Sequence, residues 1–137
     1  MIIGYTTGVF DMFHIGHLNL LRNAKSQCDK LIVGVSTDEV VQNYKKKNPV
    51  IPFEQRIEIV KAIKYVDDVV PQSSMDKLEA WEKLHYDVLF HGSDWKNTQM
   101  YNEIEEKLKK VNVKVVFLPH TDGISSNFLT NAISNQK

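Results

Sequence analysis

Residues 2–25 of this 137-residue chain read IIGYTTGVFDMFHIGHLNLLRNAK. The run Ile2–Thr7 carries no charged residue and is typical of a strand that is buried on both faces. From Leu18 to Lys25, apolar side chains recur at intervals of three and four residues, which predicts a helix. Gly8 permits a tight backbone turn between the two segments. The stretch therefore predicts a strand, a turn and a helix in direct succession.

The same alternation of strand and helix continues along the chain. Further apolar runs rich in Val, Ile and Phe predict strands at Leu31–Val35, Asp68–Val70, Val88–His91 and Val113–Leu118. Helical spacing predicts a short helix after Thr37 and longer ones at Phe53–Tyr65, Met75–Leu84, Tyr101–Val111 and roughly Ser125–Ile133. Short connections between them imply βαβ crossovers. We expect one α/β domain over residues 1–137, with a parallel sheet of about five strands and helices on both faces.

Composition and charge exclude several classes of protein. Apolar residues make up 42% of the chain and charged residues 25%, the ordinary balance of a globular protein. Seventeen basic residues offset seventeen acidic ones, which argues against a nucleic-acid binder. Because no apolar run has the roughly 20 residues of a membrane span, and the N-terminus lacks signal-peptide features, we expect no membrane insertion. The single Cys28 excludes an internal disulfide and suits a cytoplasmic protein.

Two histidines lie where the predicted turn meets the predicted helix. His14 and His17 are three residues apart, so helical geometry turns both toward the same side. Free backbone N–H groups and the helix dipole favour an anion at this end, and Gly16 leaves room for its close approach. The pattern indicates a phosphate site. The alternatives are two histidines placed by chance and, less favoured because a glutamate and a third ligand are missing, a zinc site.

The segments that follow the other strands complete the candidate site, because ligands of parallel sheets bind beyond the carboxyl ends of the strands. These segments are Ser36–Lys47, Gly92–Trp95 and Pro119–Ser126. The least regular stretch is Tyr44–Pro52, in which three lysines precede Pro49 and Pro52. The prolines end any helix that runs in from Thr37, and long connections of this kind are often functional.

Several motifs together resemble one enzyme family. His14-Ile15-Gly16-His17 resembles the HxGH signature of the nucleotidyltransferase superfamily, and Gly8-Val9-Phe10-Asp11 is similar to the G-x-F-D of its cytidylyltransferase branch. That branch carries a late R-T-E-G-I-S motif, to which residues 120–125 are similar. Further matches follow the same order: Ser36–Glu39, Tyr65–Val69 and Gly92–Trp95. The matches span almost the whole chain in the family's order, so chance is a poor explanation for them. The resemblance implies a Rossmann-like nucleotidyltransferase fold and a homodimer.

The resemblance also implies a reaction and its residues. CMP passes from CTP to a phosphorylated alcohol, first of all glycerol 3-phosphate, by direct in-line attack that releases pyrophosphate and gives CDP-glycerol. The implied catalytic residues are His14, His17, Lys45 and Lys47. Nucleotide binding is implied for Gly8, Val9, Phe10, Asp11, Gly16, Gly92, Asp94, Trp95, His120, Thr121, Gly123, Ile124 and Ser125. Binding of the acceptor phosphate is implied for Lys45, Lys47, Arg56 and Lys64. Mg²⁺ is expected mainly on the nucleotide phosphates, with Asp11 holding it indirectly or orienting a neighbour.

Each role has a plainer alternative. Asp11 can be a turn or cap aspartate, the lysines a solvated patch, Arg56 an exposed helix arginine and Trp95 core filling. Ser125 can cap the last helix while it binds phosphate.

The match departs from the family pattern at a few positions. His120 and Lys64 stand where the family has arginines, and Asp122 stands for a glutamate. Because histidine and lysine lack the guanidinium fork, these changes weaken bidentate recognition of phosphate or base. The acceptor and the nucleotide therefore stay open. An ATP-dependent adenylyltransferase of the FAD synthase or sugar-phosphate type is the alternative enzyme, and a nucleotide-sensing module without turnover is the alternative outside catalysis.

Overall fold

The computed structural model describes residues 1–93 and 96–119. The described elements, in chain order, are β1 (Ile3–Gly8), α1 (Ile15–Lys25), β2 (Lys30–Ser36), α2 (Asp38–Lys45), α3 (Phe53–Lys61), β3 (Asp68–Gln72), α4 (Lys77–Leu84), β4 (Val88–Gly92), α5 (Gln99–Lys109) and β5 (Lys114–Leu118). The predicted alternation is confirmed. The helix predicted at Ser125–Ile133 lies outside the described residues, as do Asp94, Trp95 and His120 with the rest of the late motif.

The strands of the described residues join one parallel sheet in the order β3-β2-β1-β4-β5. The central strand β1 pairs Tyr5 with Ile32 of β2 on one side and with Leu89 of β4 on the other. The chain first builds outward from β1 to β3, and then returns to the other side of β1 to lay down β4 and β5. The crevice between the carboxyl ends of β1 and β4 is thus the topological switch point, where sheets of this kind bind ligands.

Apolar side chains cover both faces of the sheet, as predicted. On one face Phe90 and Val33 pack with Leu21 and Ala24 of α1 and Val60 of α3. On the other face lie a tyrosine-rich group and its aliphatic neighbours: Tyr5, Ile32, Tyr86, Leu89, Tyr101, Leu108 and Val113. Adjacent strand residues such as Leu89 and Phe90 enter opposite clusters, which explains why the strands are nearly continuous apolar runs.

Helix boundaries differ from the sequence predictions where side chains cap them. α4 begins at Lys77 rather than Met75, because the Asp76 carboxylate accepts hydrogen bonds from the N–H groups of Leu78 and Glu79. α3 ends at Lys61 rather than Tyr65, since tight turns follow it and lead into β3. No helix in residues 1–93 and 96–119 is long and apolar enough to cross a membrane.

Candidate active site

The turn after β1 has a strained and closely packed backbone. Phe10 and Met12 adopt positive φ angles of 55° and 47°, which residues other than glycine rarely adopt. Phe10 is 4% exposed, and a Cβ atom placed on Gly8 would lie only 2.9 Å from its ring. Gly8 is therefore required for the close approach of this ring. Backbone strain of this kind persists where surrounding structure holds it, and it concentrates at functional sites.

The histidine pair caps the helix that follows. The Gly16 N–H donates to His14 Nδ1 (3.1 Å), and the His14 N–H donates to His17 Nδ1 (3.2 Å). This is a reciprocal capping box built from imidazoles, with His14 as the N-cap of α1. The two rings stack with their centroids 3.9 Å apart. Because each Nδ1 accepts a hydrogen bond, the proton of each neutral ring resides on Nε2, and both rings carry an Nε2–H donor.

The charge state of His17 follows from its surroundings. Its pKa is lowered to about 3, first by burial and then by the neighbouring His14 ring; Lys45 also lowers it, while Asp11 raises it. His17 is therefore uncharged near neutral pH, and it can stabilise negative charge through a hydrogen bond rather than through a positive charge. The electrostatic influence of Lys45 also shows that the end of α2 lies near the histidine turn.

Lys45 is the last residue of α2, and its charge is coupled to the same group of side chains. Burial lowers the pKa of Lys45, as does Lys47, whereas Asp11 raises it. The next residue, Lys46, is the left-handed C-cap of α2, with a φ angle of 59°. Lys45 is thus close enough to Lys47, Asp11 and His17 for their charges to influence one another. The catalytic role that the family resemblance implies for His14, His17, Lys45 and Lys47 stays a prediction.

Asp11 fastens the long connection to the histidine turn. One carboxylate oxygen accepts a hydrogen bond from the Val50 N–H, and the other accepts one from the Ile51 N–H, both at 2.8 Å. The orienting role predicted for Asp11 is thus directed at backbone groups of residues 50 and 51. In the described residues, no group of three or more His, Cys, Asp or Glu side chains could hold a metal ion.

Arg56 is placed differently from both sequence predictions, which had it bind a phosphate or lie exposed on a helix. Its side chain is fully buried. The guanidinium donates to the carbonyl oxygens of Ile51 (2.8 Å), Val9 (2.7 Å) and Ser36 (2.7 Å), and to the Asp38 carboxylate (2.6 Å). The predicted phosphate contact is wrong for this structure, because the guanidinium is enclosed and occupied by protein oxygens.

Lys64 lies at the amino ends of the parallel strands, whereas the histidine pair follows the carboxyl end of β1. It belongs to the connection between α3 and β3, where the Leu31 N–H at the start of β2 donates to the Asp67 carboxylate (2.8 Å). The ammonium of Lys64 lies 5.3 Å from the centroid of the Tyr65 ring. Lys64 precedes its strand instead of following it, so within one chain it is not brought to the histidine pair. Its contact with the acceptor phosphate stays a prediction from the family resemblance.

One buried lysine near the switch point escaped the sequence predictions. Lys77, the first residue of α4, is 3% exposed, and its ammonium donates to Thr7 Oγ1 on β1 at 2.8 Å. Burial lowers the pKa of Lys77 to about 8. The pKa of the partly buried His91, on β4, is lowered to about 3, first by desolvation and then by the charge of Lys77. A lysine in the first turn opposes the helix dipole, and this was the one signal in the sequence that set Lys77 apart.

Gly92, at the end of β4, has nothing within 4 Å of the position its Cβ would take.

Comparisons with known proteins match this chain to a family model, to two enzymes and to a solved structure. Residues 5–134 match the family model described as cytidylyltransferase-like. The chain is 41% identical over 111 residues to the FAD synthase of Pyrococcus abyssi, covering 79% of this chain and 72% of that one. It is 38% identical over 122 residues to the glycerol-3-phosphate cytidylyltransferase of Staphylococcus aureus, covering 88% and 86%. The crystal structure of the lipopolysaccharide core biosynthesis protein from Thermoplasma volcanium superposes with a TM-score of 0.75 at 27% identity, covering 88% of this chain and 97% of that one.

Proposed function

Because this chain belongs to the cytidylyltransferase-like family, we propose that it transfers CMP from CTP to a phosphorylated alcohol and releases pyrophosphate. The first candidate for the acceptor is glycerol 3-phosphate. In its support, the match to the Staphylococcus aureus glycerol-3-phosphate cytidylyltransferase covers more of both chains than the match to the Pyrococcus abyssi FAD synthase. The observation that carries the proposal is the reciprocally capped histidine pair, with two Nε2–H donors at the start of α1.

The reaction needs charge stabilisation more than a covalent nucleophile. An oxygen of the acceptor phosphate attacks the α-phosphorus of CTP, and the bond from that phosphorus to the bridging oxygen breaks. Negative charge then accumulates on the α-phosphate and on the departing pyrophosphate. His14 and His17 donate Nε2–H hydrogen bonds to this charge, and the free N–H groups of α1 add to them. Lys45 and Lys47 supply the positive charge that draws the two phosphates together.

Mg²⁺ enters the proposal as part of the nucleotide substrate. Both oxygens of Asp11 accept backbone N–H groups, so the orientation of its carboxylate is set by residues 50 and 51. The described residues do not form a metal cage of their own. When bound to the triphosphate, Mg²⁺ would neutralise phosphate charge, and no step assigned to this chain's residues depends on a protein ligand to it.

An ATP-dependent FAD synthase activity is the second candidate. The 41% identity to the Pyrococcus abyssi FAD synthase favours it. The residues proposed to contact the base and the outer phosphates, Asp94, Trp95 and the late motif from His120 to Ser125, lie outside the described residues, so their roles rest on the sequence resemblance. A homodimer is also proposed from that resemblance, and light scattering of the purified protein tests it.

Pyrophosphate release in a matrix of substrates tests the proposal. CTP, ATP, GTP and UTP, each with Mg²⁺, are combined with glycerol 3-phosphate, FMN and a panel of sugar phosphates. We expect CTP with glycerol 3-phosphate to give the fastest release, and His17→Ala to remove it. Fastest release from ATP with FMN would support the second candidate instead. Tight nucleotide binding without turnover in any pair would indicate a nucleotide-sensing module.

A further inference from the structure

The connection between α2 and α3, residues 46–52, meets side chains of the histidine turn and of α3. Its second half makes several hydrogen bonds to side chains: the N–H groups of Val50 and Ile51 donate to Asp11, and the Ile51 carbonyl accepts from Arg56. Directly after it, the N–H of Phe53, the first residue of α3, donates to Asp38. Its first half, which carries Lys46 and Lys47, begins at the left-handed C-cap of α2. The lysine-bearing half is thus held at two ends, by α2 before it and by these contacts after it.

Arg56 joins these contacts to the rest of the site. From the first turn of α3, its guanidinium reaches the carbonyl of Val9 in the histidine turn and the carbonyl of Ser36 at the end of β2. It also pairs with Asp38 at 2.6 Å, with its own side chain fully enclosed. We use the name clamp for Asp11, Asp38 and Arg56 with the backbone groups that they bind. The clamp connects the histidine turn, the end of β2 and the anchored half of the connection.

We propose that Asp11 and Arg56 are positioning residues, which hold the connection against the histidine turn so that Lys47 meets the acceptor phosphate. This inference rests on the proposed function. It assigns to Asp11 a role through the backbone of residues 50 and 51, in place of contact with Mg²⁺ or nucleotide. It assigns to Arg56 the placement of three chain segments, for which a fork of several N–H donors is needed and a lysine does not suffice.

The burial of Arg56 distinguishes this role from phosphate binding. A guanidinium that binds a phosphate presents its fork to the ligand, whereas this one directs four N–H groups at protein oxygens. Because such a buried charge depends on all its partners, loss of one contact disturbs the others. The clamp therefore acts as one unit, and its effect on the reaction is expected to pass through the lysine that it places.

A double-mutant cycle between Asp11→Asn and Lys47→Ala tests this route. Initial rates are measured at saturating CTP and Mg²⁺ while glycerol 3-phosphate is varied. Loss of a charged hydrogen-bond acceptor should raise the KM for glycerol 3-phosphate about tenfold in Asp11→Asn, with kcat reduced less than the KM is raised. In the double variant, the KM should stay close to that of Lys47→Ala alone, because Asp11 then has no lysine to place. Independent, multiplying effects would overturn the proposal, as would an increased Mg²⁺ requirement of Asp11→Asn.

Asp87→Asn is the matched control. Asp87 also accepts a hydrogen bond from a backbone N–H, that of Ile3, at 2.8 Å. It lies at the amino ends of the strands, away from the histidine turn. Its substitution should leave the KM for glycerol 3-phosphate unchanged. An equal rise in KM for Asp11→Asn and Asp87→Asn would mean that a general loss of structure explains both, and the proposal would fail.

Amide hydrogen exchange separates the clamp from the activity. The N–H groups of Val50 and Ile51 should exchange faster in Asp11→Asn and in Arg56→Lys than in the unmodified protein, and at an unchanged rate in His17→Ala. Unchanged exchange in Asp11→Asn would overturn the proposal without touching the proposed function. Conversely, if the unmodified protein releases no pyrophosphate from any substrate pair, the proposed function fails, while faster exchange in Asp11→Asn still supports the holding contact.

Discussion

The turn after β1 and the end of β4 each contain a partly buried histidine whose pKa is lowered to about 3, but their surroundings differ. His17 caps α1 together with His14, and the charges of Lys45 and Asp11 act on it. His91 accepts a hydrogen bond from the N–H of the next residue, Gly92, and its ring packs 4.9 Å from that of Tyr101.

A lowered pKa does not by itself identify a catalytic histidine. Burial is the first cause of the shift for both histidines, and it acts in the same way in a core and in a site. His17 differs from His91 in its surroundings, which are a second imidazole, a helix start and a nearby lysine. These are the features that stabilise a phosphate, and we expect experiments to separate the two regions on that basis.

The largest expected difference is catalytic. His14→Ala and His17→Ala should each lower kcat by about two to three orders of magnitude, because each removes a donor to the transition-state charge. His91→Gln should change kcat by less than about tenfold, since its ring packs against Tyr101 and is assigned no contact with the reacting phosphates. Rates of pyrophosphate release from the folded variants decide this. A similar loss of rate in all three would erase the distinction between the two regions.

The two histidines should behave alike in acid, where function is not involved. Unfolded histidines titrate near ~6.5, whereas these two stay neutral in the folded protein down to about pH 3. As the pH falls below ~6.5, these histidines bind protons in the unfolded chain but not in the folded one. The free energy of unfolding therefore falls by about 1.4 kcal/mol per pH unit for each histidine.

Urea unfolding between pH 7 and 5 checks this behaviour, since most carboxylates remain ionised in that interval. We expect His17→Gln and His91→Gln each to remove part of the pH dependence of the unfolding free energy. If either variant keeps the full slope of the unmodified protein, that histidine is not buried in its neutral form.

The region around His91 should respond to base, because of Lys77. Its pKa is lowered to about 8 in the folded protein but is near ~10.4 in the unfolded chain. Between these values the unfolded chain binds the extra proton, so stability should rise as the pH increases from 8 to 10. Lys77→Met should flatten that rise. Thermal unfolding at pH 8, 9 and 10 measures it, and an equal rise in both proteins would contradict the assignment to Lys77.

The smallest expected effect concerns the mobility of the lysine-bearing half of the connection. Trypsin should cleave at residues 45–47 several-fold more slowly with CTP and Mg²⁺, because the phosphates draw these lysines onto the histidine turn. Cleavage elsewhere on the surface serves as the reference within each digest. Equal protection of all sites would point to general stabilisation by the ligand, and unchanged cleavage would count against closure of this segment.

The fold was predictable because its signals are local. Apolar runs at Leu31–Val35 and Val88–His91 became β2 and β4 with changes of a residue at their ends. The turn after β1 was predictable for the same reason, since His14 and His17 are close in sequence and the helix start is fixed by a nearby cap. The family resemblance, which rested on these motifs, is confirmed by the match over residues 5–134.

The set of elements, their parallel arrangement and the residues at the first turn can be predicted from the sequence, because periodicity and short motifs report on neighbours along the chain. The roles of the basic side chains, in contrast, depend on the tertiary structure. Arg56, Lys64 and Lys77 look alike in sequence, yet one lies enclosed among carbonyls, one at the amino edge of the sheet and one under the switch point. A long charged side chain takes its role from groups far away in sequence, such as Val9 for Arg56 and Thr7 for Lys77, and those meet it only after the sheet has formed.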